Sequence, residues 1–297
     1  MKIQHFIFTT LISLMAVQIG ASETGETVVL NATIRDFCGV GFDKNTCPKG
    51  YIPHLDFERA ISRDRGLVDK ILGEDGTPKP VARFPTATVH SDWSYGLWFH
   101  DKPGFNKSRS MSLTLLETTP GSGIYAYENN NFFPIDGQLL GNQGREHNYS
   151  FTMSIHNTFI YQPGQVFEFT GDDDLWVFID KRLVIDLGGV HAAETASVNL
   201  DTLVLTPGQK YDFDMFYAER HTSESNLKFQ TSMVFELPIG GGVINTVLQE
   251  VICENLTSGQ KVTIKDVGEK STWDCSSAGL LTQAGDRVKE TLTGTVK

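Results

Sequence analysis

Residues 170–189 read TGDDDLWVFIDKRLVIDLGG, and this stretch indicates the fold of the chain. The apolar run at residues 175–179 shows no polar alternation, which is typical of a strand buried on both faces inside a sandwich. Residues 180–182, Asp-Lys-Arg, predict a tight polar turn, and residues 183–187 predict the returning strand. The stretch is therefore a predicted β-hairpin whose first strand follows an acidic loop.

Three consecutive carboxylates, Asp172, Asp173 and Asp174, stand at the entrance of this hairpin. Adjacent negative charges repel each other by about 1 kcal/mol per close pair in water, and by more when partly buried. A hard cation such as Ca²⁺, which binds carboxylate and carbonyl oxygens, would relieve that repulsion. Aspartates in loops also cap nearby backbone groups, so a solvated capping loop is the alternative interpretation.

Many short predicted strands, separated by Gly and Pro, surround the hairpin. They include residues 28–37, 198–205 and 211–217, and the last of these alternates polar and apolar side chains. Residues 61–72 form the best predicted helix, although Gly66 weakens it. Many short strands with little helix predict an all-β fold, a sandwich or a barrel.

The amino terminus predicts a secretory signal peptide over residues 1–21, because a basic start and a short apolar segment precede small residues. An uncleaved anchor is the alternative, but the segment is short for a membrane span and no later stretch approaches that length. The mature protein is therefore expected to be secreted, extracellular or at the cell surface, without a transmembrane segment. A net charge of -11 and a pI of about 5.2 argue against a nucleic-acid partner.

The four cysteines form two local pairs, Cys38 with Cys47 and Cys253 with Cys275. Two short-range disulfides are the simplest assignment in an oxidising compartment, and the close paired spacing of zinc sites is missing. Three glycines predict a linker at residues 239–243. The linker separates a large domain, residues 22–238, from a small disulfide-containing β module, residues 244–297.

Two long runs resemble one known family. They are GQVFEFTGDDDLWVFIDKRLVIDLGGVH at residues 164–191 and SVNLDTLVLTPGQKYDFDMFYAERHTSESNLKFQTS at residues 197–232. Both strongly resemble the fibro-slime domain, a branch of the PA14-like β-sandwich domains. Shorter matches are RDF at residues 35–37, HLDFE at residues 54–58, where the family usually has Pro in place of Leu55, and FFPID at residues 132–136. The resemblance covers most of residues 28–237 and implies a PA14-like antiparallel β-sandwich or barrel.

The resemblance also implies a site. PA14 lectins of yeast adhesins bind glycans through a calcium ion held by two consecutive aspartates, joined by a cis peptide, and by an asparagine from a second loop. In this chain the pair corresponds to Asp172 and Asp173, and the asparagine to Asn226. Asp174 stands where the lectins have a small or neutral residue, so it either adds a ligand or crowds the sugar.

Three further residues, His191, Arg220 and His221, either rim that pocket or are structural loop residues. The resemblance implies a secreted or cell-surface protein that binds an extracellular glycan or cell-surface polysaccharide, or acts in adhesion, with calcium. The alternative is an extracellular structural or signalling protein in which calcium only stabilises the fold. An enzyme is not expected, because the sequence singles out no acid/base pair, no G-x-S-x-G elbow and no H-E-x-x-H motif.

Overall fold

The computed structural model describes residues 27–40, 47–236, 246–255, 258–268 and 288–296. The predicted signal peptide at residues 1–21, the predicted linker at residues 239–243 and Cys275 lie outside these residues. Within the ranges just given, no helix has both the length and the apolar character needed to cross a membrane.

Strands dominate the structure, so the predicted all-β class is confirmed. In chain order they are β1 Thr27–Phe37, β2 Ser62–Arg63, β3 Asn106–Glu117, β4 Tyr125–Asn129, β5 Phe151–Ile160, β6 Val166–Gly171, β7 Asp174–Ile179, β8 Arg182–Leu187, β9 Gly189–Val190, β10 Glu194–Asn199, β11 Lys210–Glu219, β12 Leu227–Thr231, β13 Val234–Phe235, β14 Thr246–Asn255, β15 Lys261–Gly268 and β16 Val288–Val296. The helical elements of the described chain are one short helix, α1 Asp92–Tyr95, and a 3-10 turn at Leu200–Thr202.

The large sheet is antiparallel and runs in the order β10-β6-β12-β4-β3-β1-β5-β11-β7-β8, with β13 also pairing to β5. A sheet of this many twisted strands curls around its own apolar face, which gives the sandwich or barrel that the sequence predicts. A short ribbon of β2 and β9 lies outside that sheet. Towards the carboxy terminus, β15, β14 and β16 form a separate three-stranded sheet.

Strand β7 is buried on both faces, as its uninterrupted apolar sequence predicts. Leu175, Val177 and Ile179 pack into the main core between the layers, whereas Trp176 and Phe178 pack into a second core. The second core also contains Leu67, Val89, Tyr95, Trp98, Phe99 and Phe216. Each of these large apolar side chains contributes about 2 kcal/mol to folding when it leaves water. The central strand therefore holds a fixed position, and the acidic loop begins from it.

The turn between β7 and β8 is also confirmed. Asp180 and Lys181 have positive φ angles of 49° and 63°, and Ile179 pairs with Arg182 across them. Two consecutive residues in this conformation form the type of two-residue turn whose twist matches that of the flanking strands.

The helix predicted over residues 61–72 is wrong. This segment contains β2 and a series of turns, and its backbone donors bind distant parts of the chain instead of one another. The amide of Asp64 donates to the carbonyl of Gly188 (2.8 Å), and the amide of Leu72 donates to that of Lys181 (2.8 Å). Tertiary hydrogen bonds to the β7–β8 hairpin region therefore replace the intrahelical ones, which the weak helix propensity of the segment allows.

The strand predicted over residues 198–205 is only partly correct, because β10 ends at Asn199. The side-chain oxygen of Asn199 accepts a hydrogen bond from the amide of Asp201 (2.9 Å) and so begins the 3-10 turn. A side chain that caps the backbone in this way competes with strand pairing.

The predicted disulfide between Cys38 and Cys47 is present, with a Cα–Cα distance of 5.8 Å. It closes a short loop directly after β1. Cys253 is buried in β14, and its predicted partner Cys275 falls outside the described part of the chain.

Candidate functional site

The acidic loop crosses between two strands that are not neighbours in the sheet. Strand β6 ends at Gly171 and β7 begins at Asp174, so Asp172 and Asp173 span the passage between them. A second crossing, from β11 to β12, runs beside the first, because β11 pairs with β7 and β12 pairs with β6. The loop at residues 220–226 therefore lies alongside the acidic loop.

Asn226 meets Asp172 where the two crossings touch. The Asn226 backbone amide donates to Asp172 Oδ1 (2.8 Å), and Asn226 Nδ2 donates to Asp172 Oδ2 (2.7 Å). Gly171 permits this approach, since a Cβ atom there would lie 2.3 Å from the carbonyl oxygen of Asn226. Two of the three predicted calcium ligands are thus in direct contact, and the third, Asp173, adjoins Asp172 in the chain.

Asp173 connects the acidic loop to two other loops. Its Oδ1 accepts a hydrogen bond from the amide of His191 (3.2 Å), and its Oδ2 accepts one from the amide of Arg220 (3.0 Å). The Asp172–Asp173 peptide bond is cis, the geometry that the resemblance implies. Both aspartates retain a little exposure, 4% for Asp172 and 6% for Asp173, whereas Asp174 has none.

Asp174 forms a buried ion pair with Arg220. Arg220 Nε donates to Asp174 Oδ2 (2.6 Å), and both side chains are fully buried. The other oxygen of Asp174 accepts the amide of Gly189 (2.5 Å). Arg220 Nη1 donates to the carbonyl oxygens of Asp56 and Thr88. These contacts favour the structural alternative for Arg220, whose guanidinium points into the interior and not towards the loop surface.

The guanidinium of Arg220 also lies 4.4 Å from the ring centroid of Trp98. A cation over an indole face is stabilised by the ring quadrupole, and more strongly when both groups are desolvated. The charge of Arg220 is therefore accommodated by a carboxylate, two carbonyls and an aromatic ring.

The two predicted histidines hold the surrounding loops. The ring nitrogens of His191 lie 2.9 Å from the carbonyl oxygen of Ala192 and 3.0 Å from that of Leu187. His221 is partly exposed, with Nδ1 3.0 Å from the carbonyl oxygen of Thr222. His191 reaches the acidic loop through its backbone amide, and none of the hydrogen bonds described for His221 joins it to Asp172 or Asp173.

Burial and mutual repulsion raise the pKa values of the carboxylates here. Burial raises the pKa of Asp172 above its ordinary value, and the hydrogen bonds from Asn226 oppose this shift. Burial raises the pKa of Asp173 well above its ordinary value; the charge of Arg220 opposes that shift, and those of Asp174 and Asp172 reinforce it. Without a cation, the loop therefore favours proton uptake.

Glu219 is a neighbouring carboxylate that sequence reasoning missed. It is fully buried, and burial, followed by the charges of Asp173 and Asp172, raises its pKa well above the ordinary value. Its oxygens lie at long hydrogen-bond distances, 3.4 Å from Tyr217 Oη and 3.3 Å from the amide of His221. The available signal was its place in β11, two residues after Tyr217 and thus on the same core-facing side of the strand.

The HLDFE segment at residues 54–58 contacts the loop that joins β11 to β12, a role that the sequence did not reveal. Asp56 accepts hydrogen bonds from the amide of His90 (2.6 Å), from Ser94 Oγ (3.0 Å) and from Trp98 Nε1 (3.0 Å). Glu58 pairs with Arg145 and accepts the amide of Thr222 (2.9 Å). Glu58 therefore holds the loop that carries Arg220 through Thr222, and the backbone carbonyl of Asp56 binds the Arg220 side chain. The motif was visible in the sequence, but its partners were not.

The donor set suits a hard cation, although no group of three or more His, Cys, Asp or Glu side chains in the described residues is arranged to hold a metal ion. Asp172 and Asp173 offer carboxylate oxygens, and each of these oxygens has a second lone pair beyond the one that accepts an N–H group. A half-turn of the Asn226 amide would present its oxygen in place of Nδ2. Oxygen ligands of this kind are those that Ca²⁺ prefers.

A cavity of about 360 Å³ adjoins this loop pair, and Ser225 and Asn226 form part of its wall. Its wall also includes Phe133, His147 and Tyr149. The rings of Phe133 and His147 stack face to face, with centroids 4.0 Å apart.

Comparison with models of known protein families identifies a match that includes this site. The family model of the PA14 domain matches residues 118–244, which include both crossings. This part of the chain is similar to the PA14 domain. The more specific fibro-slime assignment remains a prediction.

The chain is similar to several proteins of Dictyostelium discoideum. It is 40% identical to Protein psiR over 231 residues, 73% of this chain and 22% of that protein. It is 38% identical to Protein psiD over 251 residues, 79% of this chain and 47% of that protein. The chain therefore spans less than half the length of these relatives.

Among solved structures, the chain is similar to the PA14 sugar-binding domain from an RTX adhesin, with 13% identity and a TM-score of 0.25 over 38% of this chain and 74% of that one. It is also similar to the Epithelial Adhesin 9 A domain from Candida glabrata in complex with Galb1-3GlcNAc, with 13% identity and a TM-score of 0.30 over 72% of this chain and 94% of that one.

Proposed function

We propose that this protein is a secreted or cell-surface carbohydrate-binding protein, acting in adhesion, that binds its glycan through a calcium ion held by Asp172, Asp173 and Asn226. The observation that carries the proposal is the meeting of the two crossings, which brings an acidic pair and an amide together beside an open cavity. The PA14 match over residues 118–244 supports it.

The chemistry of these residues is that of cation binding. Calcium would supply the positive charge that several buried carboxylates lack, and would leave coordination positions for the vicinal hydroxyls of a sugar. Asp172 and Asp173 would hold the ion through carboxylate oxygens, and Asn226 would hold it through its amide oxygen. Asp174 and Arg220 would position the loop from its buried side, because they already bind each other.

Calcium titration of the purified, metal-stripped chain, together with thermal melts in calcium and in chelator, tests the metal site. We expect saturable binding in the micromolar to millimolar range and a higher melting temperature in calcium. Asp173→Asn should abolish both effects. Asp212→Asn, which removes an exposed carboxylate from β11, is the matched control and should leave both unchanged. No binding at millimolar calcium would contradict the proposal.

A glycan array probed with and without chelator tests the binding role. We expect calcium-dependent retention on a subset of glycans, and its loss in Asp172→Asn. Polysaccharide cleavage that stops in Asp173→Asn would contradict a purely binding role.

The second candidate is a structural or signalling protein in which calcium only stabilises the fold. The hydrogen bonds of Asp173 to the amides of His191 and Arg220 favour it, since they join three loops without any ligand. The relative sizes of two losses in Asp172→Asn, the loss of thermal stability and the loss of glycan binding, distinguish the two candidates. A structural ion predicts mainly a loss of thermal stability, whereas a ligand-bridging ion predicts mainly a loss of glycan binding on a fold that persists.

A further inference from the structure

The cavity beside Asn226 has the size and the wall of a sugar subsite. Its volume of about 360 Å³ falls in the range of small-molecule sites. Phe133 and His147 stack face to face, and the ring of Tyr149 meets Phe133 edge-on with centroids 4.9 Å apart. All three side chains are partly exposed, and the exposed lining of the cavity is mainly polar.

The rest of the wall is polar. Asn130 and Asn131 are exposed and offer amide donors and acceptors, and Asn226 joins the cavity to Asp172. Hydroxyl groups of a sugar need such partners on several sides at once. A glycan held at the acidic loop would therefore extend into this cavity.

The cavity is negatively charged. Glu146 and Glu224 are exposed, line the cavity and form no ion pair with any residue that the structure describes. No lysine or arginine is among the described residues of the wall. Burial, and then the charges of Glu146 and Glu219, raise the pKa of Tyr149, and the charge of Arg145 opposes this rise.

We propose that this cavity is an extension subsite for a second sugar residue, and that Glu146 and Glu224 select a sugar with a protonated amine over one with a carboxylate or sulfate. The inference rests on the proposed function, because the calcium site would hold the first sugar. Opposite charges at exposed positions interact by about 1 kcal/mol at close range, which corresponds to an affinity ratio of about fivefold.

Calorimetric titration of three disaccharides into the full chain with calcium tests the selection. The probes are the β1,4-linked dimers of glucosamine and of N-acetylglucosamine, and a dimer of galacturonic acid. The titrations are made at about pH 6, where the sugar amine is protonated. We expect the amine to bind about fivefold more tightly than the neutral dimer, and the acid to bind most weakly.

Removing both charges should remove the preference. Glu146→Gln with Glu224→Gln should bring the amine and the neutral dimer within about twofold of each other, and leave the affinity for the neutral dimer unchanged. Glu74→Gln, at an exposed carboxylate outside this cavity, is the matched control and should keep the preference.

The outcomes separate this inference from the proposed function. Equal affinity for the amine and the neutral dimer in the unmodified chain, or a preference that persists in the double variant, would overturn the subsite while leaving calcium-dependent binding intact. Failure of all three dimers to bind, together with a blank glycan array, would overturn both.

Discussion

Arg220 brings a positive charge into the interior directly behind the acidic loop, where Asp174, two carbonyl groups and the face of Trp98 surround it. Its backbone amide binds Asp173 at the same time. Arg220 thus neutralises Asp174 through its side chain and positions Asp173 through its backbone amide. A charge placed this way costs free energy to desolvate, so its benefit lies in the arrangement that it enforces.

Arg220→Met should destabilise the protein by about 3–5 kcal/mol, because it leaves Asp174 buried without its partner. Urea unfolding measures the free energy of unfolding. Lys228→Met, which breaks the solvent-exposed pair with Glu128, is the control and should cost much less, because solvent screens the two charges. Equal costs for the two variants would show that burial of the ion pair does not determine its contribution.

At the scale of elements, the backbone after β8 passes so close to another segment that only a glycine fits there. Gly189 has a φ of 110°, and a Cβ atom there would lie 2.4 Å from the amide nitrogen of Asp64 and 2.4 Å from the carbonyl oxygen of Ser62. The close approach lets β9 pair with β2 and lets the Gly189 amide bind Asp174. This one glycine therefore connects the segment at residues 61–72 to the acidic loop.

Gly189→Ala should cost at least about 3 kcal/mol, because it combines an unfavourable φ with a backbone collision. Gly208→Ala is the matched control, since Gly208 also has a positive φ (80°) but no atom within 4 Å of its Cβ position. We expect that variant to cost about 1 kcal/mol. Chemical denaturation of both variants measures the difference, and similar costs would exclude the collision as the cause.

At the scale of the whole molecule, buried titratable groups shape the dependence of stability on pH. Burial lowers the pKa of His54 from its ordinary 6.5 to about 4. Its ring accepts the amide of Asp56 at Nδ1 and lies 3.0 Å from the carbonyl oxygen of Ser94 at Nε2, an arrangement that suits the neutral form. At Asp36, where burial raises the pKa to about 7, the slope of stability against pH has the opposite sign.

The sign for His54 follows from proton binding. Between pH 4 and pH 6.5 the unfolded chain binds the proton and the folded protein does not, so stability falls as pH decreases through this window. The loss attributable to His54 should reach about 3 kcal/mol. Because Asp36 contributes a slope of the opposite sign, the prediction concerns the difference between the unmodified protein and His54→Gln. That difference should shrink towards pH 4, whereas the exposed His90→Gln should show no such trend.

The sequence predicted those elements whose signals are local. The uninterrupted apolar run of β7 and the polar turn after it depend on neighbouring residues, and the structure bears them out. The strand β11 is also present, but its burial does not follow the alternation of its sequence. The predicted helix at residues 61–72 failed for the complementary reason. Its backbone partners, Gly188 and Lys181, lie more than a hundred residues away in the chain, so no local pattern could indicate them.

The same division applies to the candidate site. The sequence alone determined the class of fold and the positions of the acidic triplet, and resemblance added Asn226 as the partner of that triplet. Only the tertiary structure decided that Asp174 is neutralised by Arg220, that Glu219 is buried near the acidic pair, and that a cavity adjoins Asn226. The reason is that these contacts arise where two strand crossings meet, and which strands pair depends on the packing of the whole core.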